Sequence, residues 1–123
     1  MNLIKPLALL AMMSMMPMLA SAEDGQRLEA GKAVYQAICI ACHAPENVMV
    51  SAPKAGDVAE WARRAARAPG DSDMLTRNAM SGFGAMPPKG GAAELTREQV
   101  RDAIEFMRKP PQKSKPDHQE NRT

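Results

Sequence analysis

The sequence predicts an all-α chain with long connecting loops. Three observations lead there. Apolar residues recur at steps of three and four in several separate segments. Stretches rich in Gly and Pro lie between those segments. No stretch sustains the apolar–polar alternation of a strand, and there is no internal repeat. With 123 residues the chain suggests one domain. It has eleven Met but one Trp, one Tyr and two Phe, so few large side chains are available to fill a core. The net charge of +2 is weak and dispersed, which argues against nucleic-acid binding.

Residues 1–22 read as a secretory signal peptide. Lys5 supplies the positive start, residues 6–19 the apolar run, and Ala20-Ser21-Ala22 a small-x-small cleavage site that would leave Glu23 first. The competing reading is an uncleaved membrane anchor. The run is short for a bilayer, which needs roughly 20 apolar residues, and it contains Ser14 and Pro17. Nothing after residue 22 is long and apolar enough to span a membrane.

The first helix is expected over 26–38, where Leu28, Gly31, Val34, Tyr35 and Ile38 share a face. Gly31 on that face either weakens the helix by about 1 kcal/mol relative to Ala or admits a closely approaching second helix. Residues 44–56 read as a loop, broken by Pro45, Pro53 and Gly56. A helix of roughly 57–67 follows, capped by Asp57, with Val58, Trp61, Ala62 and Ala65 on one side. Another, about 72–81, starts near Asp71 or Ser72 and carries Met74, Leu75 and Met80. Residues 82–93 are loop by composition. The last helix, about 97–108, has Thr96 and Gln99 in a capping-box pattern. Its apolar stripe is Val100, Ala103, Ile104 and Met107, with Phe106 on the flank. Lys109-Pro110-Pro111 ends it, and 110–123 lacks apolar periodicity, as a disordered tail would.

Cys39-Ile40-Ala41-Cys42-His43 has the C-x-x-C-H form that marks covalent c-type haem attachment. Two thiols three positions apart lie on one side of a helical turn, within reach of two vinyl groups along one porphyrin edge. The next residue is then placed under the iron and can ligate it through Nε2. The rivals are a thioredoxin-like dithiol, which wants a βαβ context, and a zinc site, which wants a second ligand pair. The only other His is His118, in the tail. A disulfide between the two Cys would close a tiny loop and stabilise little.

A haem that transfers electrons takes a second axial ligand, usually Met opposite His. The candidates are Met49, Met74, Met80, Met86 and Met107. Met74, Met80 and Met107 lie at helical spacing, where Met commonly fills core space. Met49 is close in sequence to His43, which makes the opposite haem face hard to reach. Met86 is favoured, with Met80 second. Gly82 and Gly84 let the backbone pass near a porphyrin, and Pro87-Pro88 stiffen the loop.

Residues 31–43, 52–57 and 79–91, followed by a last helix ending Glu105-Phe106-Met107, resemble class I cytochromes c, and among them the bacterial cytochrome c5 group. The resemblance covers roughly 27–108. It implies three to five helices around one covalently bound haem c, with the first and last helices crossing near Gly31, Tyr35 and Phe106. It implies His43 and Met86 as the axial ligands of the iron. It also implies that the Pro53 carbonyl accepts the His43 Nδ1–H, against which stands the reading of Pro53 as a plain loop proline. Trp61 is expected either beside a haem propionate or simply in the core. Members of the group often carry a second Cys pair after the Met loop, where this chain has Gly91-Ala92-Ala93-Glu94.

The expected organisation is therefore a signal peptide (1–22), a cytochrome domain (23–109) and a tail (110–123). The expected function is periplasmic electron carriage rather than catalysis, because filled axial positions leave no site for substrate. The alternative is an electron-entry subunit of a larger periplasmic oxidoreductase. Partners would be redox proteins docking transiently at the haem edge. Lys54, Lys89, Arg63, Arg64 and Arg67 offer a positive rim to steer them, or are solvated charges only.

Overall fold

The structure, a computed structural model, describes residues 17–111, and of residues 17–20 the backbone alone. Most of the predicted signal peptide and the tail beyond Pro111, with His118, lie outside the described residues. The chain order is α1 (Pro17–Val34), a π-helical turn (Tyr35–Cys39), α2 (Ile40–His43), α3 (Val58–Ala65), α4 (Met74–Ser81), a 3₁₀ turn (Pro88–Gly91) and α5 (Arg97–Arg108). Among the described residues there is no strand, only one isolated bridge between Phe83 and Met86. The fold is the small all-α arrangement that the sequence predicts.

α1 crosses α5 at Gly31. A Cβ there would lie 2.0 Å from the Asp102 carbonyl oxygen, so only glycine lets the two backbones meet. Tyr35 and Phe106 flank the crossing with ring centroids 5.2 Å apart, the tilted geometry that aromatic pairs favour. Arg27 donates to Asp102 from the outer side. On α5 the stripe Val100, Ala103, Ile104 and Met107 is buried and Phe106 partly so. Thr96 Oγ1 accepts the Gln99 N–H and Gln99 Oε1 accepts the Thr96 N–H, which is the predicted capping box.

α3 differs from its expected stripe. Asp57 caps it as predicted, accepting the Glu60 N–H at 3.0 Å. Yet of the four expected inward residues only Trp61 is buried, while Val58 and Ala62 are exposed. The helix turns Trp61, Arg64 and, just past its end, Ala68 inward. With eight residues it makes only two turns, and its one large apolar side chain sets its rotation. α4 begins later than expected because the Asp71 carboxylate first closes a turn onto the Asp73 N–H. Its buried residues include Thr76, which the apolar reading missed. Tyr35, Trp61, Leu95, Val100, Ile104 and Met107 belong to one core cluster, and all of these but Tyr35 line a cavity.

Candidate haem site

α2 is a single turn, closed by its own C-cap bond, and three further donors satisfy its remaining carbonyls. The Ala44 N–H donates to Ile40, Asn47 Nδ2 to Ala41, Lys54 Nζ to Cys42 and the Ala55 N–H to His43, at 2.7–3.2 Å. A helix end leaves its last carbonyls without intrahelical partners, and here the 44–55 loop supplies one each for Ala41, Cys42 and His43. Asn47 Oδ1 also accepts the Met49 and Val50 N–H groups. Lys54 reaches the Val50 carbonyl as well, at 2.8 Å. The loop is thereby folded against the motif, with Pro53 beside His43.

His43 is 7% exposed and its Nδ1 lies 2.7 Å from the Pro53 carbonyl oxygen. A carbonyl only accepts, so Nδ1 carries the proton and Nε2 of the neutral ring keeps the lone pair. Burial pushes the imidazole below its ordinary pKa, and the charges of Lys54 and Arg64 add to that, while the Pro53 bond opposes it. Of the two readings of Pro53, the geometry matches the hydrogen-bonded one. Trp61 stacks on the imidazole with centroids 6.1 Å apart. Its indole N–H donates to the Lys54 carbonyl at 2.9 Å. No donor of Trp61 remains for a propionate, so its place is in the core against His43.

His43 opens into a cavity of about 460 Å³, within the roughly 300–1,000 Å³ of cofactor sites. Cys39 and Cys42 lie together on one wall, both with free thiols. Burial pushes the Cys39 thiol pKa up. Most of the lining is apolar, including Ile38, Leu75, Pro87 and Ile104.

Among the candidate methionines the structure separates those that reach the cavity from those that do not. Met49 is 90% exposed. Met80 packs on the core and is not part of the lining. Met74, Met86 and Met107 all line the cavity. Met74 sulfur already accepts from Asn78 Nδ2 at 3.1 Å, and Met107 belongs to the buried stripe of α5. Met86 comes from a loop that two hydrogen bonds close, Phe83 N–H to the Met86 carbonyl and Met86 N–H to the Phe83 carbonyl, each 3.0 Å. Gly82 opens that loop at φ +82°, and a Cβ on it would lie 3.0 Å from the Met86 carbonyl oxygen. Pro87 and Pro88 follow, as the composition suggested.

The five cations read as a rim are mostly engaged locally. Arg63 and Arg64 both pair with Glu60. Lys54 and Lys89 donate to backbone carbonyls. Arg67 lines the cavity and has no ion pair among the described residues. The residues present fit a haem. An apolar slot has two thiols along one wall, a neutral imidazole with its Nε2 lone pair free, and a thioether from a preformed loop. Sequence reasoning missed the roles of Asn47 and Lys54. Asn47 between two loop segments is the one local signal that could have been read, since Asn commonly closes such turns.

Comparison with known proteins agrees with this chemistry. A family described as cytochrome c oxidase, cbb3-type, subunit III, matches residues 26–107. Cytochrome c-555 of Chlorobaculum tepidum is 43% identical over 82 residues, which cover 63% of this chain and 71% of that one. Cytochrome c5 of Azotobacter vinelandii is 39% identical over 83 residues, covering 68% of this chain and 96% of that one. A solved chain from a crystal structure of an electron transfer complex of nitrite reductase with cytochrome c superposes with a TM-score of 0.54 at 37% identity. That match covers 64% of this chain and 90% of the other.

Proposed function

The chain belongs to the cytochrome c family, electron-transport proteins that hold haem c covalently, and from that premise we propose that it is a monohaem periplasmic single-electron carrier. In this reading Cys39 and Cys42 are the thioether anchors, and His43 and Met86 are the axial ligands. One observation carries it: His43 and Met86 line a single apolar cavity with both thiols on its wall. When bound, the haem iron supplies a one-electron ferric/ferrous couple. The rest is done by the chain. Pro53 fixes the imidazole tautomer and raises its basicity through Nδ1–H. The apolar lining excludes water, and thioether ligation with burial favours a relatively positive potential. Held by His43 and Met86, a haem would have no open coordination site for a substrate, which supports electron carriage over catalysis as the reading.

Export follows from the leader reading of residues 1–22. Among the described residues no helix is long and apolar enough to cross a membrane. Partners are redox proteins that dock transiently near the haem edge. The solved relative sits in a complex with nitrite reductase, which supports that mode of use. The matching family's description as an oxidase subunit favours a second reading, an electron-entry subunit. Co-purification with an oxidoreductase after mild solubilisation would select it, and recovery as a free monomer would select the carrier.

The test is expression with periplasmic export, followed by a pyridine haemochrome assay and an absorption spectrum. One thioether-linked haem per chain is expected, low-spin and unreactive toward carbon monoxide. Met86→Ala should become high-spin, bind carbon monoxide and fall in potential. Absence of covalent haem, or a wild-type haem already high-spin, would overturn the assignment.

A further inference from the structure

α1, the π turn and α2 form one continuous helical run that must satisfy two demands at different angles. Gly31 has to face the α5 backbone, and His43 has to face the cavity. Let Gly31 be the zero of angle around the helix. An unbroken α-helix turns about 100° per residue, which puts Tyr35 at about 40° and His43 at about 120°. Lys32 and Gln36 would stand at about 100° and 140° on the same count. Gln36 is exposed. An unbroken helix therefore sends the iron ligand into the solvent arc.

The observed run is not unbroken. In the π turn Tyr35–Cys39 the Ile40 N–H reaches back five residues to the Tyr35 carbonyl. A π turn holds about 4.4 residues and winds about 82° per residue, so five of them fall about 90° behind an α-helix. His43 then stands at about 30°, beside Tyr35. The two are equally buried, at 7% exposure each. Cys42 moves from about 20° to about −70°, in line with Val34 at about −60°. Val34, Ile38 and Cys42 do line the cavity together.

We propose that the π turn is a phase-setting device. The number of residues between Gly31 and His43, not the chemistry of Gln36 or Ala37, aims the thiols and the iron ligand into the cavity while Gly31 stays against α5. The proposal rests on His43 and Met86 as axial ligands for its spectroscopic reading, and on the helix crossing alone for its stability reading.

The experiment compares haem-loaded chains by spin state and thermal midpoint. Gln36→Ala keeps the count and should match the wild type in both. Deletion of Gln36, or separately of Ala37, removes the extra residue. Each should lose low-spin haem and gain carbon monoxide binding, with a lowered midpoint. Deletion of Gly25, outside the counted segment, should be silent. Phe106→Leu weakens the same crossing without changing phase, so it should lower the midpoint and keep the haem low-spin. The covalent haem lets every chain be read even if it folds poorly. Deletion chains with wild-type spectrum and midpoint overturn the proposal, and so does a high-spin Phe106→Leu, because any weakening would then suffice. A high-spin wild type would refute the axial pair instead, and the deletions would still have to lower the midpoint.

Discussion

His43 is oriented by residues that its own segment does not contain. The Pro53 carbonyl fixes Nδ1, Trp61 covers one face of the ring, and Lys54 holds the intervening loop to α2. Trp61 joins these parts, because its indole N–H takes the Lys54 carbonyl. Trp61→Phe keeps most of the stacking and leaves that carbonyl without its donor, at a cost of about 1 kcal/mol. Denaturant unfolding of the haem-loaded protein measures this, and a stability equal to wild type would mean that water replaces the donor. The C-x-x-C-H motif was legible because its chemistry is local and its spacing is fixed, and the loop around Met86 was legible as a loop from Gly82, Gly84, Pro87 and Pro88. Lys54 was not. By sequence it is either a rim charge or a solvated one, since nothing nearby says that a lysine will bond the carbonyl of a residue twelve positions earlier. Trp61 had two readings, and only the position of its N–H partner separates them.

The helices were legible where one face is strongly apolar and the ends carry caps. α5 shows both, and its bounds and stripe agree with the pattern. Thr96→Ala should cost about 1 kcal/mol by removing a cap that satisfies the Gln99 N–H, read as a lowered unfolding midpoint with an unchanged haem spectrum. The crossing of α1 and α5 sets a harder limit. A methyl group at position 31 would overlap the Asp102 backbone, and backbone cannot rotate aside as a side chain can. Gly31→Ala should therefore cost about 3 kcal/mol or more, at or beyond the upper end for overpacking, despite the better helix propensity of alanine. An unchanged midpoint would contradict the close approach. The π turn was not legible at all, because a residue inserted into a helix leaves the apolar period nearly intact on either side. The α3 stripe was misread for a related reason: two turns carry too little period to fix a rotation. Just before α4 the half-buried Asp71 accepts from Arg77, which holds its carboxyl below the usual aspartate range. A lowered folded-state pKa means that the pair's contribution is complete above the ordinary aspartate value and is lost as pH falls through the folded one. The stability gap between wild type and Asp71→Asn should be constant near neutrality and shrink in acid, as denaturation at a series of pH values would show.

At the scale of the molecule the core is a shell around the cavity and not a solid centre. Its large members Trp61, Leu95, Ile104 and Met107 line a space of about 460 Å³, with Tyr35 packed into the same cluster. Emptying a cavity of that size would cost on the order of 11 kcal/mol at about 24 cal/mol per Å³, an upper bound because the mouth admits water. Domains of this kind have total stabilities of only about 5–15 kcal/mol. The two magnitudes are comparable, so the bound group is a structural part of the core. A chain with four aromatic residues has few large rings with which to fill such a gap. The double variant Cys39→Ala, Cys42→Ala, prepared without haem, should keep helical far-ultraviolet ellipticity in part, bind a hydrophobic dye and melt without a cooperative transition. The local caps at Asp57 and Thr96 do not depend on the cavity, which is why some helix should survive. A sharp calorimetric transition in that apo chain would mean that α1, α5 and the 44–55 loop close on one another without a central group. The cavity would then be a preformed socket and not half of the core.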